Sequence, residues 1–151
     1  MKKIILFLLL AAFWSHAPSQ TPTPEEIVST TIDLLTKGKP VEAFEFALAS
    51  NRFVDQGQPA VISARNKFES FVNQAGAPST CEIVIQRNLI DRYRIDQYLC
   101  LSELQPFMIQ FDFYRPADNW LIQGFSFNTS TDDFIEDSIE DEIARKSMTE
   151  H

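Results

Sequence analysis

The sequence predicts an α+β domain in which N-terminal helices pack on a curved four-stranded antiparallel sheet. Three observations carry that prediction. Apolar residues recur at helical spacing as far as Ala75, and from Cys81 onward the period falls to two. The stretch from Pro106 to Asn128, PFMIQFDFYRPADNWLIQGFSFN, then reads as two alternating runs joined by a turn. At 151 residues the chain is long enough for one domain with one hydrophobic core.

Residues 1–17 have the layout of a secretory signal. Met1-Lys2-Lys3 precedes an apolar run from Ile4 to Trp14, and small residues at Ser15 and Ala17 mark a cleavage position. The run is short for a bilayer span, so no membrane anchor is expected after cleavage. Export to the periplasm or the medium follows. Residues 18–24 form a leader rich in Pro, Ser and Thr, and the single domain is expected over 25–128.

Each helix has its own punctuation. In the first, Thr23 is the expected N-cap, Pro24 opens the first turn and Glu26 completes a capping box. Its apolar face is Ile27, Val28, Thr31, Leu34 and Leu35, and Lys37-Gly38 closes it. Pro40 opens a second helix with Val41, Phe44 and Leu48 on one stripe, and Asn51 to Gln58 reads as a polar loop. A third runs from Pro59 to Gly76, with Val61, Ala64, Phe68, Phe71, Val72 and Ala75 facing the core.

Glu82 to Ile90 and Tyr93 to Glu103 are the first two strands, and they place Cys81 and Cys100 within reach of one another. In an exported chain these cysteines are a candidate disulfide, with two separate buried thiols as the alternative. One difficulty attends the bridge. An unbroken register with the cysteines opposite sets Ile85 against Asp96 and Arg87 against Arg94, which is a poor match.

In the closing hairpin Phe107, Ile109, Phe111 and Phe113 share a face, as do Leu121, Gln123, Phe125 and Phe127. A three-residue loop, Pro116-Ala117-Asp118, pairs Phe113 with Leu121, Phe111 with Gln123, Ile109 with Phe125 and Phe107 with Phe127. The opposite face then pairs Tyr114 with Trp120, Asp112 with Ile122 and Gln110 with Gly124, and Gly124 marks a bend or bulge. The phenylalanine stripe is read as core, with the wall of an apolar cavity as the alternative.

These residues resemble a known family. Amphipathic N-terminal helices followed by a four-strand meander are similar to the cone-like fold of the nuclear-transport-factor-2-like superfamily. Within it, the hairpin resembles the last strands of small exported bacterial domains of unknown function, at Phe111, Phe113, Tyr114, Arg115, Pro116, Asp118, Trp120, Ile122, Phe125 and Phe127. The resemblance covers about 25–128, but its specific motif is confined to the hairpin. It implies a fold and no activity. It also implies a homodimer through the outer face of the sheet, where Tyr114, Trp120, Asp112 and Arg115 are the candidate ligand or partner surface.

Several chemistries are disfavoured. The two histidines are His16, in the signal, and His151, so no histidine-based catalysis or metal site is expected in the body. The four glycines are scattered and build no phosphate loop. The formal charge is −8, and losing Lys2 and Lys3 with the signal takes it to about −10, which argues against nucleic acid as a partner. Seven acids fall between Asp132 and Glu142 without calcium-loop spacing. Residues 129–151 are expected to form an acidic helix carrying Ile135, Ile139 and Ile143, which either docks on the body or frays. No cofactor is expected.

Two readings of function remain. One is a non-catalytic exported domain that binds a small apolar ligand or a protein partner. The other is an isomerase- or dehydratase-like enzyme built on a buried carboxylate, Asp96 or Asp112, working with Tyr98 or Tyr114.

Overall fold

Helix α1 (Pro24–Thr36) begins where Thr23 caps it. The Thr23 hydroxyl accepts from the Glu26 amide at 3.2 Å, and the Glu26 carboxylate accepts from the Thr23 amide at 2.8 Å. That reciprocal pair satisfies two amides that a helix start otherwise leaves open. Helices α2 (Pro40–Ala49) and α3 (Pro59–Ala75) also open on proline. Gly38 and Gly76 follow α1 and α3 at φ of 69° and 90°, which a side chain at either position would strain. This computed structural model describes residues 21–130; the signal expected over 1–17 and the helix expected in the acidic segment lie outside that range.

Four strands follow: β1 (Pro78–Ile90), β2 (Tyr93–Ser102), β3 (Phe107–Tyr114) and β4 (Leu121–Asn128). They pair antiparallel in the order β1-β2-β3-β4, and the sheet is open. The architecture is thus α+β, three helices and then one antiparallel sheet.

The helices lie against one sheet face. Phe107, Ile109, Phe111 and Phe113 are fully buried there, with Phe68 and Val72 of α3 and Phe44 of α2. Phe68 meets Phe125 edge-on at 5.0 Å and Phe127 at 4.9 Å, and Phe71 meets Phe107 at 5.3 Å. The phenylalanine stripe is therefore the core. On α2 the innermost positions are Ala43 and Ala47 beside Phe44, while Val41 and Leu48 are only half-buried. Small residues there let α2 sit close to its neighbours.

Cys81 and Cys100 are bridged and stand directly opposite, with Cα atoms 4.0 Å apart. The mismatch expected beyond them does not arise, because the register shifts at Val84. Ile85 then faces Gln97 and Arg87 faces Ile95. One extra residue in β1 makes the bridge compatible with sensible neighbours.

The β3–β4 register also departs from expectation. Phe113 pairs with Ile122, Phe111 with Phe125 and Ile109 with Phe127. A shift at Gln123 separates Ile122 from Gly124, and the strands are joined by six residues, 115–120, instead of three. The longer loop and the bulge together turn Ile122 inward. Gly124 sits beside the bulge, and its absent side chain is what admits the Asp112 carboxylate, whose oxygen lies 2.6 Å from where a Cβ would be.

Candidate functional site

The bulge has a structural partner. Asn51 follows α2, is 8% exposed, and donates from its amide nitrogen to the Ile122 carbonyl at 2.7 Å. Its own oxygen accepts from the Phe53 amide at 3.0 Å. Both ends of the side chain are thus satisfied, and the end of α2 is fixed against the start of β4.

This strut frames a pocket of about 290 Å³ at one end of the domain, at the lower end of the size range of ligand sites. One wall is Phe46, Ala49, Ser50 and Arg52 from the end of α2, and the opposite wall is Pro116, Ala117, Asn119 and Leu121 from the β3–β4 loop. Thr21 and Pro22 close the side. The lining is mainly apolar, and among the described residues that form it Arg52 carries the formal charge. Its guanidinium stacks on Phe53 at 4.9 Å, so the cation stands at the rim.

Of the four residues grouped as a candidate surface, Tyr114 and Asp112 lie on the sheet face away from the helices, while Arg115 and Trp120 belong to the β3–β4 loop. Tyr114 pairs with Leu121 and Tyr93, and Trp120 belongs to the loop, half-buried against the core. The Arg115 guanidinium lies 5.1 Å from the Trp120 ring and donates to the Asp91 carbonyl at 2.9 Å, tying the β3–β4 loop to the β1–β2 turn. Asp112 lies on the face away from the helices and accepts from Gln110 at 2.8 Å. The strand arginine nearest in sequence, Arg94, pairs with Asp96 on the other face.

Asp96 is fully buried on the helix side of the sheet, opposite Phe111. Arg94, with its side chain 12% exposed, grips it with two parallel bonds, Nε to Oδ1 at 2.8 Å and Nη2 to Oδ2 at 2.7 Å. The remaining Nη1 donates to Glu25 at the start of α1. Bonding to Asp96 raises the Arg94 pKa still further, and bonding to Arg94 lowers that of Glu25. Tyr98 lines a shallow groove with Arg94, Glu25 and Gln86; burial first, and then the Asp96 charge, push its hydroxyl up. The cluster is a clamp between α1 and β2 in which one guanidinium holds two carboxylates.

The alternation placing Asp96 inward was visible in the sequence, because it shares parity with Tyr98 and Cys100. Asn51 and Arg52 were missed, since a polar residue after a helix has no periodic signal. Among the described residues no group of three or more histidine, cysteine or acidic side chains is arranged to hold a metal, and no helix is long and apolar enough to cross a membrane. Comparison with family models, with curated proteins and with solved structures finds no match to this chain.

Proposed function

We propose that the chain is an exported, non-catalytic domain of the nuclear-transport-factor-2-like kind that binds a small apolar molecule bearing an acidic group. The pocket between the end of α2 and the β3–β4 loop carries this reading: apolar walls from Phe46, Ala49 and Leu121, with Arg52 at the rim. A hydrocarbon body fits the walls, and a carboxylate has a guanidinium within reach. The bridged cysteines and the secretory layout of residues 1–17 support export. The ligand site moves from the phenylalanine-lined interior to the rim, because that interior is packed ring against ring.

The enzymatic alternative has one observation in its favour, the burial of Asp96 beside Tyr98. Two Arg94 hydrogen bonds, one to each carboxylate oxygen, weigh against it, since a general base needs a lone pair aimed at substrate.

Trp120 adjoins two pocket residues, Asn119 and Leu121, and reports on occupancy. Titration with decanoate is expected to change its fluorescence saturably. Ala49→Leu, which fills the pocket, abolishes the response, and Arg52→Gln weakens it. An unchanged response in Ala49→Leu, or none in the wild type at millimolar decanoate, overturns the reading.

A further inference from the structure

The sheet face away from the helices is only partly explained by the described residues. Ile95, Leu99 and Leu101 of β2 and Met108 of β3 form an apolar strip along it, and Ile85 of β1 lies beside Gln97. All three helices pack on the other face, and the loop leading into β3 is exposed along its length. Even so, Met108 is only 5% exposed. The side-chain oxygen of Gln97, in the middle of the same face, is shut off from solvent and accepts no hydrogen bond. An open sheet face leaves neither group in that condition.

We infer that residues 132–146 seat on this outer face, with Ile135, Ile139 and Ile143 against the strip around Met108. Position selects this segment. Asn128, at the end of β4, pairs with Met108 itself, so the chain leaves the sheet beside the covered residue. The N-terminal segment enters at Thr21 by the β3–β4 loop, at the opposite end of β3, about 20 Å away at strand rise. Length is sufficient, because the residues from 131 to 151 as a helix reach about 30 Å, against about 14 Å between the outer strands. Charge also fits. Arg87 lies on this face opposite Ile95, and the segment carries seven acids between Asp132 and Glu142. Its three isoleucines recur every fourth residue, which puts them on one side of a helix and the acids on the rest. The occupant is thus the chain's own tail, on the face where a second copy was expected.

Oxidation of methionine by hydrogen peroxide, followed by peptide mass spectrometry on the full chain, tests this. Met108 is expected to react about ten-fold more slowly in the native protein than in urea, at every protein concentration. The triple variant Ile135→Asp/Ile139→Asp/Ile143→Asp brings its rate to within about two-fold of the urea value, with the near-ultraviolet circular dichroism of the body retained. Should the triple variant lose that signal, Ile139→Asp alone is read in the same way and is expected to raise the rate at least about three-fold. Protection that survives the substitutions, or that is missing from the wild type, overturns the inference. Protection that disappears on dilution assigns the face to a second copy and overturns it as well.

Discussion

Replacing Asp96 by Asn tests the clamp between α1 and the sheet. The carboxylate is fully buried and the Arg94 side chain is 12% exposed, so neutralising one partner strands a guanidinium that water barely reaches. Breaking a buried pair costs about 3–5 kcal/mol. The lower end applies here, because Glu25 remains bonded to Arg94 and its own side chain is 65% exposed. Over the described residues 21–130 the unfolding entropy is about 0.23 kcal/mol/K, so about 3 kcal/mol lowers Tm by about 13 °C. Replacing both partners with leucine removes the stranded charge, and this double variant is expected within about 1 kcal/mol of wild type. Thermal and urea unfolding of the two variants, followed by circular dichroism, give both numbers. A loss below about 1 kcal/mol in Asp96→Asn, or a double variant as unstable as the single, refutes the assignment of a buried pair.

Three further outcomes are expected. Asn51→Ala leaves the Ile122 carbonyl without its donor and should cost about 1–3 kcal/mol in urea unfolding while enlarging the pocket mouth. Replacing Cys81 and Cys100 by alanine releases a loop spanning 19 positions and should lower stability by about 3 kcal/mol without changing the strand order, as judged by hydrogen exchange of β3 amides. Glu25, ordinarily titrating at 4.5, is held lower in the folded state by Arg94, so its contribution is present above pH 4.5 and fades as pH falls through the folded value. Urea midpoints between pH 3 and 6 should therefore fall less steeply for Glu25→Gln than for wild type.

The elements with the strongest local chemistry were legible in the sequence. The capping box at Thr23, the prolines opening each helix and Gly76 closing the third are short-range signals, and each marks a real boundary. The change of period at the cysteines likewise delivers four strands in chain order. Register was harder to read. Gly124 marks the bulge beside it at Gln123, but nothing near Val84 announces an extra residue, because the position of a bulge is selected by which side chains meet across the ladder. At Gln123 that selection moved Ile122 into the core and Trp120 off the sheet. The pocket was not legible for a related reason, since its walls come from segments more than sixty positions apart, joined by a hydrogen bond from Asn51 to a bulge carbonyl.

Strand β1 lies at one edge of the sheet and is the longest of the four, with exposed Ile83, Val84, Leu89 and Ile90. A straight edge of that length and composition is a template on which other chains add as strands. Its register shifts fall at Ser79, Val84 and Leu89 and cut the ladder into two runs of four matched residues, Thr80 to Ile83 and Ile85 to Asn88. An incoming strand therefore meets a kinked rail with no straight section as long as an ordinary strand. The irregularity that reconciles the disulfide with its neighbours also guards the fold against fibrillar assembly.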